Sequence, residues 1–230
     1  MRTQTEPARA AGRRGRGVVT APAVAGVAYT AAWAIGLGVW PSNPDVAATG
    51  SRVVTAYAGH RGVAMIQSLL VHGVAAVALA VVVLALGQAA RRGGAEQLAR
   101  AMVVAGVGAA VVSLLQCAIG LALAGWVVPV GDASRAGLLF AAINRLDGVK
   151  MLALAAMAGT GAALVHRTGV LPGWLGYAGG LLAVALVVSG VGYLLLNSTL
   201  APAAFVSGPL LLLWVTGAGI SLGGSWEGDR

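Results

Sequence analysis

The chain has 230 residues, of which 58% are hydrophobic and only 10% are charged, and its formal net charge is +8. Soluble domains carry about 25% charged residues, so this composition excludes a water-soluble globule and predicts an integral protein of the lipid bilayer. The positive charge does not indicate nucleic-acid binding, because most of it lies in a tail and in a short loop beside apolar segments. Only one of the 15 basic residues is a lysine (Lys150), which is typical of a high-GC bacterial genome.

The predicted elements begin with an arginine-rich tail over residues 1–17, whose polar composition predicts disorder. Six apolar runs follow, each close to the roughly 20 residues that cross a bilayer. The first run is longer than the apolar part of a signal peptide, which favours a retained helix. The predicted spans are 18–40, 62–86, 101–127, 149–166, 174–196 and 203–222. The sequence therefore predicts an all-α, polytopic helix bundle with one transmembrane domain (18–222) and a short tail (223–230).

The basic residues predict how the bundle is oriented. With six spans, both termini lie on one side, which holds ten arginines, whereas the other side holds five basic residues. Loops rich in arginine and lysine stay in the cytoplasm. Both termini are therefore predicted to be cytoplasmic, in the inner (plasma) membrane of a bacterium.

Polar side chains on the second, fourth and fifth spans predict a candidate cavity in the outer half of the bilayer. Asn144, Asp147 and Lys150 follow i, i+3, i+6 spacing, and Arg145 points away from them at 100° per residue. We expect Arg61 to face Asp147 across the cavity. The predicted members are Arg61, Gln67, Asn144, Asp147, Lys150 and Tyr193. The simpler alternatives are that the cations reach the headgroups, that Asp147 only pairs with Lys150, and that Tyr193 anchors the interface.

Two further polar residues fall near the middle of the membrane. His72 on the second span and Gln116 on the third lie at the same predicted depth. Polar groups in hydrocarbon usually find partners on neighbouring helices. A structural His72–Gln116 bridge is therefore favoured over a role in transport or catalysis.

The sequence predicts no catalytic residue, no cofactor and no metal ligand. No two of the three histidines have the i, i+4 spacing of a zinc-binding helix. The run Gly219-Ile-Ser-Leu-Gly223 matches a nucleophile elbow, but that motif needs a strand–turn–helix setting with a later histidine. Here it ends an apolar helix and no histidine follows.

The passage RTGVLPGWLGYAGGLLAVALVVSGVGYLLL has a Leu-Pro-Gly-Trp-Leu-Gly turn that opens a helix, which ends in glycines and a tyrosine. It resembles the late helices of small bacterial six-helix membrane proteins grouped as a domain-of-unknown-function family. The polar segment NRLDGVKML before it is similar in kind, so the resemblance covers about residues 141–222. It implies a six-helix fold and no activity.

Three classes of function remain. The favoured one is a non-enzymatic membrane protein that acts through helix contacts with a membrane partner or with a second copy of itself. The alternative is a small carrier or permease component with an outward-facing polar cavity. An intramembrane enzyme acting on a lipid or isoprenoid is third, because the other carboxylates near Asp147 (Asp45 and Asp132) lie in loops. A water-filled cavity that contains Asp147, Arg61 and Gln67 would favour the second or third class, and a closed, dry bundle with paired polar groups would favour the first.

Overall fold

The computed structural model describes residues 20–40 and 43–224. These residues form helices and contain no strand. The helices are α1 (Ala21–Val39), α2 (Gly50–Ala58), α3 (Arg61–Arg92), α4 (Glu96–Val130), α5 (Ala133–Thr168), α6 (Gly173–Leu194) and α7 (Ala201–Gly224). All except α2 are long and apolar enough to cross a membrane. The predicted six-span helical bundle is confirmed, whereas the tails 1–17 and 225–230 lie outside the described residues.

The six long helices alternate in direction, so the connections divide between two ends of the bundle. We call the end with residues 43–60, 131–132 and 195–200 the loop face, and the end with Thr20 and Gly224 the termini face. Asp45 contacts Ser198 at the loop face, and a Cβ atom on Gly223 would meet Thr20 at the termini face. Loops that are distant in sequence are therefore neighbours at each end.

Helix α5 begins at Ala133, whereas the sequence predicts a span that begins at residue 149. Asp132 caps this helix, because its carboxylate accepts a hydrogen bond from the backbone N–H of Arg135. No proline interrupts the helix before its end at Thr168. Its 36 residues rise about 54 Å, which exceeds the roughly 30 Å of the hydrocarbon core. The segment 144–150 therefore lies within a continuous helix and not before its start, so the predicted start of this span at residue 149 is corrected.

Two hydrophobic cores hold the helices together. The larger one joins α1 and α3–α7, and its most buried side chains include Trp214 and Leu182. The smaller one lies at the loop face, where Trp40, Val53 and Phe140 pack α2 against α5 and the neighbouring helix ends. This second core covers the ends of the long helices that extend past the larger core.

Glycines set the closest approaches between helices. A Cβ atom on Gly148 of α5 would lie 2.6 Å from the backbone nitrogen of Leu194 and 2.7 Å from the carbonyl oxygen of Gly190 on α6. Close backbone contact of this kind is typical of membrane helix pairs. Helices α5 and α6 therefore depend on Gly148 for their spacing beside the candidate site. By contrast, Gly180 has open space around it.

Candidate functional site: a polar cavity at the loop face

A cavity of ≈ 530 Å³ lies between the two hydrophobic cores. Its wall includes Tyr57 and Phe140 of the smaller core and Leu154 and Leu186 of the larger one. Small-molecule sites occupy about 300–1,000 Å³ and are mostly apolar, with a few polar groups that converge. The polar residues lining this cavity are Asn43, Asp45, Gln67, Ser68, His72, Gln116, Asn144, Asp147, Lys150, Tyr193, Ser198 and Ser207.

The charged group in the cavity is an ion pair on one helix. Lys150 and Asp147 are joined through Nζ and Oδ1, and their side chains are 6% and 15% exposed. The Lys150 ammonium also lies 5.8 Å from the centre of the Trp33 ring. Gln116 of α4 donates hydrogen bonds from Nε2 to Asp147 Oδ1 (3.1 Å) and to the carbonyl oxygen of Ile143 (3.0 Å). The carboxylate is therefore held from two helices.

Two buried polar atoms beside this pair, His72 Nδ1 and Gln116 Oε1, lack a hydrogen-bond partner. The Lys150 ammonium is not one of them, because it donates to the Asp147 carboxylate. The Gln116 amide is oriented with Nε2 toward Asp147 Oδ1 and the Ile143 carbonyl oxygen, because both of these atoms can only accept hydrogen bonds. Buried polar groups are nearly always paired. The part of the cavity wall around the ion pair, which we call the polar floor, therefore holds one acceptor and one imidazole nitrogen that are buried without a partner.

The structure brings five of the six predicted cavity residues into one wall. Asn144, Asp147, Lys150 and Tyr193 line the cavity together with Gln67, and Arg145 is exposed. The amide of Gln67 donates to the carbonyl oxygens of Gly36 (3.1 Å) and Trp40 (3.2 Å). Gln67 thus satisfies carbonyls that the end of α1 leaves without intrahelical partners.

Arg61 is the sixth predicted member, and it does not line the cavity or face Asp147. Its guanidinium donates to the carbonyl oxygens of Ala124 (3.0 Å) and Gly125 (3.5 Å). Both carbonyls belong to a π-helical turn in α4, Leu123–Val127. The predicted Arg61–Asp147 pair is corrected, because Lys150 of the same helix is the cation beside the carboxylate.

The predicted bridge between His72 and Gln116 is also not formed. Both residues line the cavity, but Gln116 donates to Asp147 and Ile143 instead. His72 lies in a π-helical turn of α3, Leu69–Val74. Such turns shift the register of one helix and often occur at functional sites. The two predicted polar groups, outer and mid-membrane, are therefore parts of a single cavity.

The opening of the cavity is shown by its exposed lining residues. All of them belong to α1, to the segment 43–46, or to the stretch 198–209. They are Leu37, Asn43, Asp45, Ser198, Pro202, Phe205 and Pro209. Asp45 Oδ1 accepts hydrogen bonds from Ser198 Oγ (2.7 Å) and from the backbone N–H of Ala47 (2.9 Å). This contact ties the segment 43–46 to the α6–α7 connection across the rim.

The contact at the rim predicts a response to acid. The hydrogen bond from Ala47 N–H, and then the one from Ser198, hold the pKa of Asp45 below its ordinary value of 3.8. A carboxylate with a lowered pKa stabilises the folded contact above its ordinary pKa, and the stabilisation is lost as pH falls through the folded-state value. We expect a nitroxide on Thr199→Cys, in a Cys117→Ala background, to become more mobile only below pH 3.8. Asp45→Asn should abolish that pH dependence in the electron paramagnetic resonance spectrum, and equal dependence in both proteins would contradict it.

Several side chains of the cavity wall were not singled out by the sequence, among them Trp33, Ser198 and Ser207. Trp33 contacts Lys150, and Ser207 of α7 shares a hydrogen bond of 2.9 Å with Ser189 of α6. Trp33 and Ser207 each lie in an apolar run without a distinctive pattern. Among the described residues, no three histidine, cysteine, aspartate or glutamate side chains are grouped in a way that could hold a metal ion.

Comparison of the chain with family models, with curated proteins and with solved structures gives no match. The resemblance of residues 141–222 to a domain-of-unknown-function family therefore stays a prediction.

Proposed function

We propose that this multi-pass membrane protein binds a small molecule in the polar cavity, as a small carrier or permease component does, and that it is not an enzyme. The observation that carries the proposal is a cavity of ≈ 530 Å³ whose wall brings together polar side chains of α3, α4 and α5, two of which (His72 and Gln116) keep a buried polar atom without a partner. An unsatisfied buried polar group costs about 1–3 kcal/mol. A ligand that supplies the missing hydrogen bonds removes this cost, so ligand binding accounts for these groups.

The contents of the cavity support binding over catalysis. General acid–base chemistry needs an acid and a base placed on either side of the reacting group. Asp147 is tied to Lys150 and Gln116, and the other carboxylate in the described cavity wall is Asp45 at the rim. His72 is the one imidazole in that wall, and no free carboxylate lies beside it to complete an acid–base pair. The hypothesis of helix contacts alone predicts a closed bundle with paired polar groups, and the free atoms favour the carrier alternative over it.

The charge distribution supports an outward-facing site. The sequence prediction assigns ten arginines to the side of the termini, six of them in the tails outside the described residues, and five basic residues to the other side. Of those five, Arg145 and Lys150 lie within α5, and Arg52, Arg61 and Arg135 lie near the loop face. Under the positive-inside rule, the termini are cytoplasmic and the cavity opens to the outside of a bacterial plasma membrane. A C-terminal reporter that is active only outside the cell would contradict this orientation.

Native mass spectrometry of protein released from nanodiscs tests the binding proposal. We expect the wild type to retain a discrete small-molecule mass that the phospholipid of the nanodisc does not explain. The double variant Asp147→Leu/Lys150→Met should lose that mass, because it removes both charges of the pair and leaves neither group unpaired. A wild type without any retained mass, or a mass retained equally by both proteins, would contradict the proposal and favour the hypothesis of helix contacts.

A further inference from the structure

Helices α1 and α7 touch near the termini face and separate toward the loop face. Gly26 packs against the backbone of α7, because its Cβ atom would lie 3.2 Å from Thr216 Cα. The hydroxyl of Thr30 shares a hydrogen bond of 2.6 Å with that of Thr216. The hydroxyl of Thr216 donates to the carbonyl oxygen of Gly26 (2.9 Å). One end of this helix pair is therefore closed.

On the loop-face side of Trp33, the two helices pack against different neighbouring helices. Gly36 of α1 packs on Val71 of α3, and Gln67 binds the last carbonyls of α1. On α7, Ser207 bonds to Ser189 of α6. The cavity is lined from both sides of the space that results. We call this space the lateral gap, and its lining residues are Trp33 and Leu37 on α1 and Phe205, Gly208, Pro209 and Leu212 on α7.

The lateral gap faces the bilayer with apolar side chains. Leu37 is 48% exposed and Phe205 is 84% exposed. Pro209 is eight residues after the start of α7, about 12 Å along the helix axis, so the gap reaches from the loop face into the hydrocarbon. A Cβ atom on Gly208 would meet nothing within 4 Å. The gap therefore connects the polar floor to lipid, whereas Asn43, Asp45 and Ser198 form its water-facing edge.

We infer that the ligand is a single-chain amphiphile with an uncharged hydroxyl or amide head, which enters sideways from the membrane through the lateral gap. The inference rests on the binding function proposed above. Hydroxyl and amide groups both donate and accept hydrogen bonds, which suits a wall that holds amide and hydroxyl side chains (Asn144, Ser207) and an acceptor without a partner, Gln116 Oε1. The Asp147–Lys150 pair is neutral as a whole, and an additional charge would be buried without a counter-ion. The chain of the amphiphile occupies the apolar gap.

Photo-cross-linking tests the inference with defined probes. Protein in phosphatidylcholine nanodiscs is exposed to a monoacylglycerol that carries a diazirine in its chain, and to the fatty acid and alkylamine of the same chain length. We expect saturable labelling of α1 and α7 by the monoacylglycerol, with weaker labelling by both charged probes. Gly208→Phe should reduce labelling by about tenfold, since its ring fills the gap. The matched control is Gly180→Phe, which adds the same ring in open space on α6 and should label like the wild type.

The variants separate the two proposals. Leu37→Trp narrows the lateral gap from α1 and replaces Gly208→Phe if that protein does not fold. Labelling of both gap variants at the wild-type level would overturn access through the gap, and equal labelling by the fatty acid would overturn the uncharged head. If the wild type nevertheless retains a small molecule that Asp147→Leu/Lys150→Met loses, the binding function stands. Failure of both experiments overturns both proposals.

Discussion

Replacing Asp147 with asparagine lowers the free energy of unfolding by about 3–5 kcal/mol, because the buried Lys150 ammonium loses its counter-ion. Lys150 lines the cavity but its Nζ atom is buried, so water compensates only in part for the loss. Reversible unfolding of the purified protein in mixed micelles, followed by circular dichroism, gives the difference between the variant and the wild type. The same helix offers a matched control, since Asp132 and Arg135 form an ion pair at the same i, i+3 spacing with side chains 30% and 75% exposed.

Asp132→Asn should change the free energy of unfolding by less than about 1 kcal/mol, because exposed ion pairs contribute little and asparagine still caps a helix. The double variant Asp147→Leu/Lys150→Met should recover the stability of the wild type, since apolar residues often replace a buried pair without cost. A loss for Asp147→Asn no larger than the loss for Asp132→Asn would show that the pair is solvated and that the cavity floor is not built as described.

Replacing Gly148 with alanine should be the most damaging addition of a single methyl group beside the cavity. The new Cβ atom would lie within 3 Å of backbone atoms of Leu194 and Gly190. Backbone in a helix cannot turn aside as a flexible side chain does, so α5 and α6 must separate. We expect a loss of about 1–3 kcal/mol in the free energy of unfolding, measured in the same micelles, and failure of Gly148→Leu to accumulate in the membrane.

Gly180→Ala is the control for this substitution, because α6 has open space at that position. Alanine is favoured over glycine within a helix by about 0.5–1 kcal/mol, so this variant should be as stable as the wild type or slightly more so. Equal effects of the two substitutions would contradict the close approach of α5 and α6 at Gly148.

The six spans could be predicted from sequence because the thickness of a bilayer fixes the length of an apolar run. The start of α5 could not be predicted in the same way. Residues 133–148 are amphipathic and carry Arg135, Arg145 and Asp147. The apolar run therefore begins only after them, although the helix already begins at Ala133. Since the span was counted from residue 149, the polar segment was expected before the helix, whereas it lies within α5 and still lines the predicted cavity.

The membership of the cavity was predicted better than its contacts. Spacing along one helix was sufficient to place Asn144, Asp147 and Lys150 on one face. Contacts between helices depend on rotation and crossing angles that a single chain pattern does not contain. Arg61 illustrates this limit, because its partners are backbone carbonyls in a π-helical turn, and no side-chain pattern marks them. The separation of α1 from α7 likewise comes from packing on α3 and α6.

The most direct test of the central claim, that the polar floor is connected to the outside, is thiol labelling in intact cells. Asn144→Cys lines the cavity, whereas Ala158→Cys lies on the same helix and is fully buried in the larger core. Both variants are made in a Cys117→Ala background and exposed to an uncharged, sugar-linked methanethiosulfonate that does not cross the membrane. The cavity predicts that Asn144→Cys reacts from outside at least about tenfold faster than Ala158→Cys. Equal and negligible reaction at both positions would contradict it.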